Sequence, residues 1–368
     1  MKTVKRKILL TPGPATTTDS VKFAQVVPDE CPREKEFGDL MKSICLDLSD
    51  IAGGRDICDV TLFGGSGTAA IEAMISSCVG EGMLLVVNNG AYGERMLAIA
   101  KKHGIRHCEF HSSPVRKIEV EHVVATAIDA GATHLAMVHH ETSSGMLNDI
   151  YEVASGLAGH GCIMLIDAIS SFAALPVDVA LLGSCHVVST ANKNLQGMPG
   201  ISFVISSKTA LAALQRVESK SFYLDLKEQG EYFKKTGQAR FTMPVQSMHA
   251  LRQAIDETLE EGVPARFQRY MRCWSILKDG IEKLGFKCLL HDSLQAKLLL
   301  SIIEPDWDWH SFDRMHDFMK HAGYVIYPGK VVGTDTFRIC TIGAINEEDI
   351  RGFVEVLGCY VSTRGGMQ

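Results

Sequence analysis

The sequence predicts an α/β protein with a mostly parallel central sheet, helices on both of its faces, and a smaller C-terminal α+β unit. Two patterns carry that expectation. Through the first two thirds, short continuous apolar runs alternate with amphipathic stretches. Strands that are apolar on both faces belong to sheets covered on both sides. Beyond Glu261-Gly262-Val263-Pro264 the pattern changes to one long helical stretch followed by shorter mixed elements.

In chain order, the expected strands are residues 60–63, 83–87, 134–138, 163–166, 186–189 and 201–205. Between them, residues 68–79, 91–103, 120–130 and 151–159 space their apolar positions three and four apart, the period of a helix buried along one stripe. Gly262 and Pro264 interrupt helical structure. A helix is expected at 265–284, then an apolar run at 297–303, a helix at 311–322, runs at 325–327 and 336–340, and a last helix at 346–357. This divides the chain into a large domain, residues 15–255, and a small one, residues 256–368, with residues 1–14 packing near the small one. No repeat, low-complexity stretch or Pro/Gly/Ser-rich linker separates them.

The composition narrows the function. The 368 residues carry 37 Lys+Arg against 43 Asp+Glu, a net charge of −6, with no basic block to suit nucleic acid or an anionic membrane. Apolar runs fall far short of the ~20 residues of a membrane span. Residues 1–7 are basic, but residues 8–10 are too short for a signal-peptide core before Pro12 and Pro14. Eleven cysteines are scattered without a C-x-x-C pair, so they read as reduced thiols in a cytoplasmic protein. The adjacent His139 and His140 would point to opposite faces of a strand, and no metal-ligand spacing occurs, so no metal is expected.

Three segments could do chemistry. Gly64-Gly65-Ser66-Gly67-Thr68 leaves a strand and opens a helix, where free N–H groups, the helix dipole and two hydroxyls favour an anion. It is neither a Walker loop nor a full G-x-G-x-x-G, and no acid follows the next strand, which counts against a nicotinamide dinucleotide. Asp167 stands at a strand's carboxyl end, either as a ligand carboxylate or as the N-cap of a helix through Ser170-Ser171. Lys193 follows another strand end and precedes Gly197-Met198-Pro199-Gly200, a segment a ligand could approach; a lysine of lowered pKa there can form an imine. A phosphate cradle, a strand-end carboxylate and a strand-end lysine are together what pyridoxal phosphate requires. Tyr92, beyond the strand after the cradle, could stack on its ring or simply pack.

Thr11-Pro12-Gly13-Pro14, the cradle, Asn89-Gly90-Ala91-Tyr92-Gly93, His140-Glu141-Thr142-Ser143-Ser144-Gly145, Asp167-Ala168, Ala191-Asn192-Lys193 and Phe337-Arg338-Ile339 occur in one order along the chain. In that order the chain resembles, from end to end, the class V (fold type I) pyridoxal-phosphate-dependent aminotransferases. Within the class, residues 189–200 and Tyr324-Val325-Ile326-Tyr327-Pro328-Gly329-Lys330 resemble the branch acting on 2-aminoethylphosphonate and pyruvate.

The resemblance implies the cofactor pyridoxal 5′-phosphate and a homodimer with shared active sites. It also implies a transamination giving phosphonoacetaldehyde and L-alanine. The alternatives are a related aminophosphonate, or serine or alanine with glyoxylate. Lys193 would hold the cofactor and Asp167 would meet its ring nitrogen. Ser66, Gly67 and Thr68 would hold the phosphate, Tyr92 would stack, and Thr142 or Ser144 would bond the ring hydroxyl or the phosphate. Thr242 would reach the phosphate of the neighbouring subunit, and Arg338 would bind the substrate's carboxylate or phosphonate. Some relatives carry an aromatic residue three before that threonine; here Ala239 stands there, with Arg240 as a possible replacement donor. Arg33 is either a second anion contact or part of a solvated charge run.

Overall fold

The computed structural model describes residues 4–364. Its centre is a seven-stranded sheet in the order Cys58–Gly64, Ile201–Ser207, Cys185–Thr190, Ile163–Asp167, His134–Val138, Leu84–Asn88 and His107–His111. Only Ile201–Ser207 runs against its two neighbours, and the remaining pairs are parallel. The expected mostly parallel α/β sheet is therefore present.

The continuous apolar runs have a direct cause. Leu85, Val87, Leu135 and Met137 enter one core, with Phe37, Met41, Ile44 and Leu251 from the helices Lys35–Ile51 and Val245–Glu261. Their neighbours Leu84, Val86, Ala136 and Val138 enter another, with Ile71, Met74 and Met96 from the helices Gly67–Cys78 and Ala91–Lys102. Successive residues of a strand face opposite ways, so a strand between two helical layers needs apolar residues at every position.

Several elements of this region escape the strand-and-helix expectation, and three of them show why. The strand His107–His111 is an edge with half-open faces, so its sequence alternates polar and apolar and lacks an apolar run. The helix Lys35–Ile51 begins inside the charge run around Arg33, and its stripe of Phe37, Met41, Ile44 and Leu48 carries the helical spacing. Leu226–Thr236 is polar on most of its surface and buries only Leu226 and Gln229. The expected break is present: Val245–Glu261 ends at Gly262, whose φ is +78°, and Val263–Lys283 starts at once.

A second, antiparallel sheet joins Lys287–Cys288, Leu299–Ile303, Thr336–Cys340 and Tyr327–Pro328. Its core of Leu277, Ile281, Leu300, Phe337, Ile339 and Phe353 is shared with the helices Val263–Lys283 and Glu347–Ser362. The N-terminal segment crosses between the two sheets. Ile8–Leu9 pairs in parallel with Tyr324–Val325, the Cys340 amide donates to Leu10, and the Ala15 amide donates to the carbonyl of Asn192.

Six of the seven strands run the same way and deliver their carboxyl ends to one edge of the large sheet, where segments that leave them meet. This is where ligands collect in open α/β sheets. Among the described residues no helix is long and apolar enough to cross a membrane. Leu135 is fully buried in a central strand, so Leu135→Ala should cost about 2–5 kcal/mol. A lower midpoint in urea unfolding, with unchanged far-UV circular dichroism before the transition, checks this.

Candidate active site

Lys193 lies in the turn after Cys185–Thr190 and extends back over the N-terminal segment, where its Nζ donates to the carbonyl of Pro12. Gly13, at φ +142°, has no room for a side chain: a Cβ there would collide with the Lys193 methylenes and Nζ. Burial pushes the Lys193 ammonium below the usual lysine range, aided by Arg338 and opposed by Tyr92, Cys340 and Asp167. A basic nitrogen in this state is a competent nucleophile and proton acceptor.

Asp167 ends its strand and is 3% exposed. Its Oδ1 accepts the Ile169 amide at 2.9 Å, and the residues that follow form turns rather than a helix, so it caps a turn and no helix. Burial raises its carboxyl to about 6, partly offset by the Ile169 amide, and the charge of Glu141 raises it further. No cation among the described residues is ion-paired with it.

The cradle is a helix N-terminus. Ser66 is the N-cap of Gly67–Cys78 and is exposed, its side chain makes no capping bond, and the first turn holds no acid. A Cβ on Gly67 would strike Ile169, so the glycine seats the cradle directly on the Asp167 turn. Thr68 Oγ1 accepts from Arg95 Nη1 at 3.2 Å, and the Arg95 guanidinium lies 4.8 Å from the Tyr92 ring centre.

Tyr92 itself is held by Glu141. That fully buried carboxylate accepts the Tyr92 amide at 3.2 Å, and the Ser143 amide and hydroxyl at 3.0 and 2.5 Å. Burial works to raise the Tyr92 phenol, but Lys193, the Thr142 hydroxyl, Arg338 and Lys330 together bring it below the ordinary value. Thr142 and Ser144 are both buried; Thr142 touches Tyr92, and Ser144 Oγ has no hydrogen-bond partner.

Arg338 is 2% exposed in the middle of Thr336–Cys340. Its Nε donates to Pro328 O at 3.0 Å and its Nη1 to Thr142 O at 3.3 Å, and no carboxylate partners it. The surface ion pair that is the default for an arginine in such a strand is absent. Lys193, Tyr92, Arg338, Lys330, Pro12 and Gly13 line a single pocket of about 410 Å³. A larger groove, about 720 Å³, lies against the edge strand Cys58–Gly64 and holds none of Lys193, Asp167, Tyr92 or Arg338.

Other expected residues lie elsewhere. Thr242 is exposed and does not line the 410 Å³ pocket of its own chain. Arg240 is engaged by Phe222 and Phe241, with its guanidinium 5.4 and 5.1 Å from their ring centres. Arg33 is exposed and donates to the carbonyls of Ala239 and Arg240, which leaves it outside the pocket.

These features suit pyridoxal phosphate on structural grounds. An uncapped hydroxyl and helix N-terminus await an anion, a buried carboxylate lacks a cation, and an orphaned Ser144 hydroxyl and a lysine of lowered basicity stand nearby. Residues 34–315 match the family described as Aminotransferase class-V. The chain belongs to the class-V aminotransferases. It is 39% identical over 363 residues, 97% of both chains, to the 2-aminoethylphosphonate–pyruvate transaminase of Burkholderia mallei strain SAVP1. Among solved structures it superposes on the alanine–glyoxylate aminotransferase of Nostoc sp. with a TM-score of 0.89 at 23% identity, covering 97% of this chain and 96% of the other. On the ureidoglycine–glyoxylate aminotransferase of Bacillus subtilis the TM-score is 0.90 at 19% identity, covering 99% and 95%. Pyridoxal 5′-phosphate is the cofactor of this family and fold.

Three residues of this class-V aminotransferase were not singled out by sequence reasoning. Glu141 sat inside a quoted motif, and an acid between an apolar strand and two serines was its signal. Lys330 likewise sat inside the quoted 324–330 motif, whereas Arg95 gave no signal, because it looks like an ordinary surface cation until Tyr92 is seen beside it.

The raised Asp167 carboxyl has a consequence for stability. Its folded value of about 6 exceeds the ordinary 3.8, so the folded state binds the extra proton and stability declines as pH rises between those values. Asp167→Asn should therefore stabilise the cofactor-free protein at pH 7, and the advantage should vanish as pH falls toward 4. Thermal melts of both proteins across that range check the sign.

Proposed function

We propose that this class-V aminotransferase transfers the amino group of 2-aminoethylphosphonate to pyruvate, giving phosphonoacetaldehyde and L-alanine. The observation that carries the reading is the pocket itself: Lys193, Arg338 and Lys330 line one cavity whose lining holds no carboxylate. Such a cavity selects an amine with an anion at its far end. The relatives of the same name, at 39% identity over 97% of the chain, support the donor and acceptor.

Pyridoxal 5′-phosphate, when bound, supplies an electron-withdrawing ring that carries the amino group between the two substrates. Ser66, Gly67 and Thr68 would hold its phosphate and Tyr92 its ring face, with Thr142 or Ser144 at its ring hydroxyl. Asp167 would meet its ring nitrogen and keep it protonated, an ion pair that would relieve the cost of the buried carboxylate. Lys193 Nζ removes a proton from the amine-bearing carbon of the donor and, in the second half, delivers one to C2 of the product alanine. Arg338, its guanidinium fixed by two carbonyls, orients the phosphonate and then the carboxylate of pyruvate. A desulfurase reaction finds no reagent here: Cys340 is buried and its thiol is pushed up to about 12.

The reading extends to a homodimer in which Thr242 serves the neighbouring site. Thr242 is exposed beside a surface patch of Phe222, 78% exposed, Tyr223 and Phe241, which a second copy would cover. The separate cores of the two sheets support a large domain over residues 15–255 and a small one over 256–368. Eleven unpaired cysteines support a reducing, cytoplasmic setting.

The purified protein loaded with cofactor should absorb at roughly 410–430 nm. 2-Aminoethylphosphonate should bleach that band faster than alanine or serine does, and Lys193→Ala should lack both the band and turnover. Faster bleaching by serine would overturn the donor. Arg338→Ala should lower kcat/KM for the phosphonate by about 10²–10³, the loss expected when a buried charge partner is truncated. Light scattering should give twice the 40.2 kDa of one chain, and Phe222→Asp should shift it toward one chain.

A further inference from the structure

A hairpin supplies part of the wall of the pocket that Lys193 also lines. Tyr327–Pro328 pairs antiparallel with Thr336–Cys340, placing Tyr327 opposite Arg338. Gly329 follows, its amide donating to Thr336 O at 2.6 Å, and a Cβ there would collide with Thr336. The chain thus lies close on the strand, and the next residue, the exposed Lys330, lines the same pocket as the buried Arg338. Lys330 Nζ sits 5.8 Å from the centre of the Tyr92 ring. Among the described residues no carboxylate is ion-paired with Lys330 or with Arg338.

An exposed lysine is ordinarily a solvated charge of little energetic weight. This one differs in three respects. It lines the same pocket as the buried arginine, its ammonium lies over the ring of Tyr92, another lining residue, and no acid in that pocket neutralises it. We propose that Lys330 is the second cation of the donor subsite and the residue that distinguishes a phosphonate dianion from a carboxylate. The proposal rests on the donor assignment made above.

The physical reason lies in charge and shape. Coulomb attraction scales with the ligand's charge, so a second cation adds twice as much for a dianion as for a monoanion. Arg338 alone balances the carboxylate of pyruvate and leaves a phosphonate half compensated. Its planar fork also spans two oxygens, whereas a phosphonate presents a third out of that plane. A mobile ammonium suits that third oxygen as a point charge.

Ethylphosphonate and propionate, which share a carbon chain and carry no amine, test this on the cofactor-loaded protein by titration calorimetry, beside turnover of 2-aminoethylphosphonate. The wild type should bind ethylphosphonate more tightly. Lys330→Gln should weaken ethylphosphonate about tenfold, roughly 1.4 kcal/mol, and propionate no more than about threefold, while Lys330→Arg should restore most of the preference. Equal losses for both anions, or none for either, would overturn the role of Lys330. If the wild type turns over 2-aminoethylphosphonate and Lys330→Gln keeps the anion preference, Lys330 falls and the donor stands. If the preference collapses in the variant while the wild type ignores 2-aminoethylphosphonate, the donor falls and Lys330 stands.

Discussion

Charge buried without countercharge is the constraint on which this molecule is organised. Asp167, Lys193 and Arg338 are each withdrawn from solvent to a degree that ionised groups tolerate only when something compensates them. Compensation within the chain is incomplete by design of the fold: one amide for Asp167, one carbonyl for Lys193, two carbonyls for Arg338. A ligand bearing a cationic ring nitrogen, an electrophilic carbon and anionic ends completes all three at once. The residual instability of the empty arrangement is therefore a reservoir of binding energy.

Holding such groups apart requires a stiff frame, and the frame is made of polar ties between the two sheets. Arg266, 2% exposed, donates to the carbonyl of Asn194, next to Lys193, and is ion-paired with Glu261 at 2.7 Å. Tyr270 Oη accepts from Gln196 at 2.7 Å and from the Gly343 amide at 3.0 Å. One helix, Val263–Lys283, thereby fixes the lysine turn against the loop that follows the Arg338 strand. Glu141 does the same for Tyr92 at the other side of the pocket.

How much of this could be read in the sequence depended on whether a residue's role was local. The sheet was readable because each strand had to be apolar at every position, a property of the strand alone. Ser66, Asp167 and Lys193 were readable because each follows its own strand within a few residues. Arg338 required the family order of motifs, since nothing beside it in the chain reveals that Thr142, far away in sequence, supplies a carbonyl. Arg95 was silent for the same reason, since its contact is with Tyr92, while Lys330 stood in a resembling motif without a role until the fold set it in the pocket beside Tyr92. The edge strand His107–His111 was missed because one side of it is open, so its apolar signal is halved.

The N-terminal crossing settles when the pocket can first exist. Residues 8–16 supply the Pro12 and Gly13 wall, yet they dock on Gly323, Val325, Cys340 and Ala344, more than three hundred positions later in the chain. Chains are made and fold from the N-terminus onward. During synthesis the large sheet can form around Lys193 while this wall has only its ties to Asn192 and Lys193, because residues 323–344, its other docking surface, have not yet been translated. Lys330 and Arg338 of the same cavity also belong to that late part of the chain, so the lysine is made long before the rest of its receptacle.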